Sequence, residues 1–341
     1  MPRLGLADRP ALTVAMLASR IVRAHTFLRD SPVTLRAPDA PPTEGGSPDR
    51  SRQPLQHPAD RLMAAFASVG APVSVGLDPV LERMPAELAS VAPAVALERF
   101  SLGVLEAVRE SAACVKLQSA CYERFGPDGV RALHTVSHAA EAMGFEVILD
   151  AKRGDIGISA DHYAAASLLH RARWTTVNGY LGADGILPFL GPKPTATGAF
   201  VLVRTSNPSG DAFQSLRLTD GRTVAEAMAD LVRGLGRDHC GACGLSALGA
   251  VVGATKRQDA AELRSRMPEQ VFLVPGFGAQ GGGVDDVLPC FRGDGTGAII
   301  TASRSVIYPE VSPGVSWQVA VGRAARNFRD AIRQGLGASG R

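Results

Sequence analysis

Eight short apolar runs, rich in β-branched residues, recur along most of the sequence. They occupy residues 73–78, 114–118, 146–152, 175–181, 199–206, 248–255, 271–278 and 298–304. Between most of them lie segments whose apolar residues recur at helical spacing, and one more such segment follows the last run. Near-continuous apolar strands joined by crossover helices are typical of a parallel sheet covered by helices. The pattern predicts an α/β fold, a (β/α)8 TIM barrel, with a doubly wound sheet as the alternative.

The connection after the fourth run departs from this pattern. Residues 183–194 read "ADGILPFLGPKP", which is typical of a loop with at most one helical turn. The helix of the fourth strand-helix unit is therefore expected to be short or missing.

The first 57 residues differ in composition from the rest. Residues 31–57 are dominated by Pro, Asp, Gly, Ser, Arg and Gln, which bury too little apolar surface to offset the entropy of ordering. Arg20 and Arg23 interrupt the apolar stretch of residues 11–30. This stretch does not resemble a signal peptide. We expect residues 1–57 to be a poorly ordered extension, or the product of a misplaced start codon, and residues 58–341 to be the catalytic barrel.

Charge and cysteine content exclude several classes of function. Of 36 basic and 33 acidic residues, residues 1–57 hold 8 and 5, so the predicted barrel carries 28 of each. A neutral body predicts neither a nucleic-acid-binding nor a membrane-binding surface, and no apolar run approaches the ~20 residues that span a bilayer. The five cysteines show no repeated spacing, which indicates free thiols and a cytoplasmic location. The CxxC in "HCGACG" lacks a second ligand pair, and we predict no metal site.

Lysine is rare in this chain, because 32 of the 36 basic residues are arginine. The four lysines are Lys116, Lys152, Lys193 and Lys256. Where arginine is the usual cation, a lysine indicates a position that uses a compact, titratable ammonium.

Charged residues stand at the ends of the first three predicted strands. Asp78 ends the first, Lys116 lies in the second, and Asp150 and Lys152 end the third. In a barrel, the carboxyl ends of the strands meet at one mouth, where function gathers. Asp150 and Lys152 are two residues apart on a strand and are expected to share a face, with Lys116 in reach of the same carboxylate. The pattern predicts an ionic network that includes substrate, or, alternatively, a structural salt bridge at the barrel rim.

The ends of the last two strands indicate an anion site. "GFGAQGGG" offers backbone N–H groups that an anion can approach closely, and Arg304 follows the eighth strand. Barrels commonly bind phosphate at this position. A simple glycine-rich turn is the alternative interpretation.

These motifs together resemble a known family. "VGLDP", "VKLQ", "DAKRGDIG", "RTSNP", "VVGAT", "PGFGAQGG" and "SRSVIY" occur in the order found in orotidine 5'-phosphate decarboxylase, and more narrowly resemble its type 2 branch. The resemblance covers about residues 58–336. It implies cofactor-free decarboxylation of orotidine 5'-phosphate to uridine 5'-phosphate, the last step of pyrimidine synthesis, by a homodimer of barrels with shared active sites.

The resemblance also implies roles for the charged residues. Lys152 would protonate C6 of the pyrimidine, and Asp150 would lie against the substrate carboxylate. Lys116 would belong to the charged network and reach the ribose, and Asp78 would bind a ribose hydroxyl. Loss of carbon dioxide leaves an electron pair at C6 that the ring cannot delocalise, so a fixed cation and proton source within reach fit the chemistry.

The resemblance also implies residues that act at the dimer interface and residues that bind the two ends of the substrate. Asp155, Ile156 and Ser159 would act across the dimer interface, with Ile156 beside the base. The substrate-binding residues would be Ser206 at the pyrimidine edge, with Gln280, Arg304 and backbone N–H groups near Gly281 and Gly282 at the phosphate. Arg153 is expected to lie outside the chemistry.

The sequence departs from the family at three positions. Ile158 and Ser159 replace the usual Ser-Thr or Asn-Thr pair, and Ser303 stands where glycine is common.

Three other functions fit parts of the pattern. A magnesium-dependent sugar-phosphate barrel would need a Glu on the second strand near the metal, where Lys116 stands instead. An aldolase that forms a Schiff base would use Lys152, which ion pairing to Asp150 disfavours. A catalytically silent phosphate-binding barrel is the third.

Overall fold

The structure is a computed structural model that describes residues 56–193, 195–254, 256–278 and 281–340. The described residues belong to one compact unit. The predicted extension, residues 1–57, lies outside the described residues except for Gln56 and His57.

Eight parallel strands form a closed barrel, in which each strand pairs with the next along the chain and the eighth pairs with the first. The strands are β1 (Val73–Leu77), β2 (Cys114–Gln118), β3 (Glu146–Arg153), β4 (Trp174–Val177), β5 (Gly198–Arg204), β6 (Ser246–Val252), β7 (Gln270–Pro275) and β8 (Ala298–Ala302). The predicted (β/α)8 TIM barrel is confirmed, and the doubly wound alternative is wrong.

Helices surround the barrel and cross over between successive strands. They are α1 (Pro58–Val69), α2 (Pro93–Val108), α3 (Ser119–Glu123), α4 (Gly126–Ala142), α5 (Gly157–Leu169), α6 (Ala183–Ile186), α7 (Asp211–Gln214), α8 (Val224–Gly236), α9 (Arg257–Arg266), α10 (Val284–Val287), α11 (Arg304–Ile307) and α12 (Trp317–Ala338). The connection after β4 contains only the four-residue α6 between 3-10 turns, as predicted. None of the helices within the described residues is long and apolar enough to cross a membrane.

The last five strands end two to four residues before the predicted runs do. After β4 the chain turns at Asn178, whose side chain accepts a hydrogen bond from the Tyr180 N–H. After β7 it turns at Gly276 and Gly278, whose φ angles of 101° and 72° favour glycine. The apolar pattern continues past the last paired residue: after β7, Phe277 still lines the barrel mouth, whereas after β4, Tyr180 is exposed.

Helix α1 closes the barrel at the end opposite the predicted site. Ala59, Leu62 and Phe66 of α1 belong to one buried cluster with Trp174 and Phe200, whose rings stack at 4.5 Å between centroids inside the barrel. This packing fills the bottom of the barrel with side chains. Ligands are therefore excluded from that end.

Polar contacts hold α1 in place. His57 caps the helix by accepting the Ala59 N–H at Nδ1, and its Nε2 lies 2.9 Å from the carbonyl oxygen of His239. The Asp60 carboxylate accepts the N–H groups of Ala242 and Cys243 in the "HCGACG" loop. The glycine-rich CxxC loop is thus an anchor for α1.

Candidate active site

The Asp150 carboxylate is the centre of a charged cluster at the carboxyl end of the barrel. Its Oδ2 accepts from Lys116 Nζ at 2.8 Å and from Gln118 Nε2 at 3.3 Å. Its Oδ1 accepts from Lys152 Nζ at 2.6 Å and from the Thr176 hydroxyl at 2.9 Å. A carboxylate has about four acceptor positions, so the four donors hold Asp150 ionised and in one orientation.

Three neighbouring strands supply these donors. Lys116 and Gln118 lie on β2, and Gln118 is the direct register partner of Asp150 on β3. Thr176 comes from β4. The parallel register of the closed barrel therefore assembles the cluster from residues that are distant in sequence.

Lys152 reaches Asp150 through an irregular backbone. Its φ is 48°, which is unusual for a lysine, and the pairing of β3 with β4 shifts between Leu149 and Arg153. The prediction that Asp150 and Lys152 meet is confirmed by their ion pair. The expected reason, plain alternation along a regular strand, is wrong because a β-bulge re-aims Lys152.

Burial and charge act in opposite directions on this cluster. Burial by itself would raise the pKa of Asp150, but Lys116 and Lys152 outweigh it and hold that pKa well below its usual range. Burial would likewise lower the pKa of Lys116, but Asp150 and Asp78 hold it above its usual range. The two buried groups therefore remain charged at neutral pH.

The two lysines differ in their access to solvent. The Lys116 side chain is 5% exposed and bridges Asp150 and Asp78, at 2.8 and 3.3 Å. The Lys152 side chain is 46% exposed. Lys116 is thus a fixed interior cation, whereas Lys152 presents its ammonium to the mouth of the barrel.

A cavity of about 280 Å³ opens beside the cluster. Its lining residues are Asp78, Lys116, Gln118, Asp150, Lys152, Thr176, Leu202, Thr205, Ser206, Asn207, Val251, Leu273, Pro275, Gly276, Phe277, Thr301, Ser303 and Arg304. The lining combines acidic and basic side chains, apolar side chains, and hydroxyl and amide groups, of which Thr205, Ser206 and Asn207 follow β5. The cavity can therefore hold a small anionic ligand with one polar and one apolar face.

The cavity contains six residues that the sequence analysis assigned to the site: Asp78, Lys116, Asp150, Lys152, Ser206 and Arg304. Arg304 is exposed at the start of α11, after Ser303, and forms no ion pair with any residue that the structure describes. Its guanidinium is therefore available to an anion at the cavity mouth.

The glycine-rich loop after β7 is only partly described. Gln280 lies outside the described residues. Gly281 donates its N–H to the Gly278 carbonyl and has a φ of 89°, and Gly282 accepts from the Gly278 N–H. A side chain at Gly282 would clash with Ala254. Neither Gly281 nor Gly282 is among the described residues that line the cavity. Their contact with phosphate therefore stays a prediction.

Three predicted site residues lie outside the cavity. Asp155 accepts the N–H of Ile156 with its side chain, and Ile156 is 54% exposed. Ser159 is exposed in the first turn of α5. Arg153, as expected, is turned elsewhere and pairs with Glu123.

Gln118 and Thr176 were missed by the sequence analysis. Gln118 follows Lys116 by two residues, so strand alternation alone could have placed it on the same face. Thr176 carried no comparable signal, because its place beside Asp150 follows from the register of β3 on β4, in which Leu149 pairs with Thr175.

Within the described residues, no group of three or more His, Cys, Asp and Glu side chains is arranged to hold a metal ion. The donors around Asp150 are an ammonium pair, an amide and a hydroxyl. This arrangement can stabilise negative charge and deliver a proton.

Comparison with known proteins places this arrangement in a family. Residues 72–317 match the profile of the orotidine 5'-phosphate decarboxylase / HUMPS family. An orotidine 5'-phosphate decarboxylase of Rhodopirellula baltica is 39% identical over 292 residues, which cover 81% of this chain and 95% of that protein. One from Haloarcula marismortui is 36% identical over 293 residues, covering 82% and 99%.

Solved structures agree. The Leishmania donovani OMP decarboxylase superposes with a TM-score of 0.66 at 32% identity, covering 82% of this chain and 99% of that one. The Plasmodium berghei enzyme, at 18% identity, has a TM-score of 0.71 over 84% of this chain and 100% of that one, and supports the fold alone. With its closed barrel, its Lys116, Asp150 and Lys152 cluster and these matches, the chain belongs to the orotidine 5'-phosphate decarboxylase / HUMPS family.

Proposed function

We propose that Lys152 delivers the proton to C6 in the decarboxylation of orotidine 5'-phosphate to uridine 5'-phosphate, a step of pyrimidine biosynthesis and the reaction of this family's decarboxylases. The observation that carries the proposal is the pairing of Lys152 Nζ with Asp150 at 2.6 Å, at the edge of the cavity. The bond from C6 to the carboxyl carbon breaks, and its electron pair stays on C6. That pair then takes a proton from the ammonium, and the exposed amine regains a proton from solvent.

The position of the cluster supports electrostatic stabilisation of this step. Asp150 cannot move away from a substrate carboxylate, because four donors hold it. As carbon dioxide leaves, the negative charge moves to C6, next to a cation that is already in place. Stabilisation of this kind acts mainly in the transition state, because the ammonium needs no reorganisation.

The remaining cavity residues match the other parts of the substrate. Asp78 would accept a ribose hydroxyl, and Ser206 would contact the pyrimidine edge. Arg304 would bind the phosphate, together with Gln280 and the backbone near Gly281. These roles come from the resemblance, and the cavity supports those of Asp78, Ser206 and Arg304 by bringing them to one space.

A homodimer with shared sites is part of the proposal. Large apolar side chains are exposed beside the partly buried Asp155 and the exposed Ser159 in the sequence: Ile156 is 54% exposed and Ile158 is 72% exposed. An apolar surface of this kind is typical of a protein interface. Burying it against a second copy would bring Asp155, Ile156 and Ser159 to a neighbouring cavity.

Lys116 favours this proposal over the alternative function, a magnesium-dependent sugar-phosphate barrel. That alternative needs a carboxylate at this position, but a buried ammonium lies there between Asp78 and Asp150. The type 2 branch, the cytoplasmic location and the absence of nucleic-acid binding stay predictions.

A direct assay tests the function. Loss of orotidine absorbance is followed with the full chain in the presence of a chelator. Lys152→Ala should abolish turnover while it leaves uridine 5'-phosphate binding largely intact, and the exposed Lys193→Ala is the matched control. Turnover that needs added metal would contradict the proposal, as would a Lys152→Ala variant with the wild-type rate.

Mixed subunits test the shared site. Lys152→Ala and Asp155→Ala proteins, each inactive alone, are mixed and allowed to exchange subunits. If Lys152 and Asp155 of different subunits form one site, random pairing restores about a quarter of the sites. A mixture that stays inactive despite confirmed exchange would remove Asp155 from a shared site.

A further inference from the structure

The bulge in β3 leaves a gap in the ladder at Lys152. Leu149 pairs with Thr175 and Arg153 pairs with Val177, so two extra residues of β3 face this part of β4. The Lys152 N–H cannot follow the regular ladder here. It donates instead to the Thr176 hydroxyl, at 2.9 Å.

The directions of the two hydrogen bonds of the Thr176 hydroxyl are defined. It accepts from the Lys152 N–H, and a hydroxyl has only one proton, which it donates to Asp150 Oδ1 at 2.9 Å. Thr176 is 1% exposed and Asp150 is 6% exposed, so solvent does not compete for either bond. A single side chain therefore ties the backbone of Lys152 to the carboxylate that pairs with its ammonium.

This tie acts where the backbone is strained. A lysine at a φ of 48° persists only where its surroundings hold it. The ion pair between Lys152 and Asp150 alone would leave the backbone N–H free to move, because half of the lysine side chain is in solvent. The hydroxyl contact holds both ends of the pair.

We propose that Thr176 is a positioning residue for decarboxylation, whose hydroxyl sets where the Lys152 ammonium stands relative to Asp150 and to the reacting carbon. The inference rests on the proposed function and extends it to a residue that does not itself touch the reacting atoms. Thr176 thereby acts through Lys152 and Asp150.

The test compares side chains of similar size with and without a hydroxyl. Thr176→Val keeps the shape and removes both hydrogen bonds, and Thr176→Ser keeps the hydroxyl. Thr175→Val is the matched control, because Thr175 is a buried threonine on the same strand that lines a different cavity, on the helix side. All variants are made in the full chain.

We expect Thr176→Val to lower kcat about ten- to a hundredfold, which is the range for a lost hydrogen bond to a charged group. Its affinity for uridine 5'-phosphate should stay within about threefold, and Thr176→Ser should recover kcat to within about threefold. Thr175→Val should keep kcat near the wild-type value. If Thr176→Val does not fold, Thr176→Ala carries the same expectation.

Three results would overturn the inference. One is a hydroxyl-free variant with the wild-type kcat, and another is a Thr176→Ser variant as slow as Thr176→Val. The third is a parallel loss of kcat and of product affinity, which would indicate a general structural defect. If the wild-type protein decarboxylates orotidine 5'-phosphate and the threonine variants behave in one of these ways, only the positioning role fails. If the wild-type protein is inactive, the proposed function fails as well.

Discussion

Replacing Asp150 with asparagine tests whether the ionic cluster is held together by one buried carboxylate. The substitution keeps the size of the side chain and removes its charge. Four donors point at Asp150, but an amide has only one oxygen, so two of them would face its NH2 group. Lys116 would keep its charge in the interior, with Asp78, at 3.3 Å, as its remaining ion-pair partner.

The expected loss of stability comes mainly from Lys116. Both partners of this pair are buried, and removing one partner of a buried pair costs about 3–5 kcal/mol. Lys152 adds little, because its half-exposed ammonium can return to water. Against a total stability of about 5–15 kcal/mol, this loss is large.

Equilibrium unfolding in urea measures the effect at neutral pH, and the buried Trp174 inside the barrel provides a fluorescence signal. Asp150→Asn should unfold at a lower urea concentration than wild type. Adding Lys116→Met removes the stranded cation, so the double variant should be more stable than the single one. Asp128→Asn is the control, because its pair with Arg131 is 71% and 70% exposed and should change stability by less than about 0.5 kcal/mol.

The same cluster predicts a pH dependence. The pKa of Asp150 is lower in the folded chain than in the unfolded one, against the effect of burial, because of Lys116 and Lys152. Its stabilisation is therefore present above the unfolded pKa of about 4 and is lost as the pH falls through the folded value. The stability gap between wild type and Asp150→Asn should be constant from about pH 7 to 5 and should narrow below about pH 4.

Two outcomes would refute this reasoning. One is an Asp150→Asn variant within about 1 kcal/mol of wild type at neutral pH, since no buried pair would then have been broken. The other is a double variant less stable than Asp150→Asn, which would show that Lys116 is not stranded by the loss of Asp150.

Two further predictions concern the barrel frame. Arg264 is buried, and its guanidinium donates to four backbone carbonyls; burial lowers its pKa to about 9. Arg264→Met should lower the free energy of unfolding by about 2–4 kcal/mol, while the exposed Arg323→Met should leave it unchanged, and equal urea curves would contradict this. A Cβ at Gly129 would lie 2.0 Å from the Tyr122 carbonyl oxygen, whereas one at Gly234 meets open space. Gly129→Ala should therefore cost about 1–3 kcal/mol and Gly234→Ala should gain up to about 1 kcal/mol, and thermal unfolding that ranks them in the opposite order would refute the packing argument.

The barrel could be predicted because its signal is local. Each strand is a short apolar run that is buried on both faces, and each crossover helix shows its own periodicity. The ends of the strands were less well predicted, because the residues after β4 and β7 remain apolar after they leave the ladder. The loss of pairing there depends on turns such as the one at Asn178.

The charged residues of the site could be predicted because charges at strand ends are conspicuous, and the ends of parallel strands converge in a barrel. Asp78, Lys116, Asp150 and Lys152 all line the cavity. The irregular backbone at Lys152 could not be predicted, because the bulge arises from the pairing of β3 with β4.

The sequence by itself determined the order of strands and helices, and it determined which charges stand at the mouth of the barrel. Only the tertiary structure decided how those charges are held. Asp150 is saturated by donors from β2, β3 and β4, and Lys116 differs from Lys152 in burial although both lysines pair with Asp150. The physical reason is that hydrogen-bond partners and solvent access depend on register between strands, which no residue specifies alone. Gln118 lies opposite Asp150 and Thr176 lies beneath Lys152 because the barrel closes in this register.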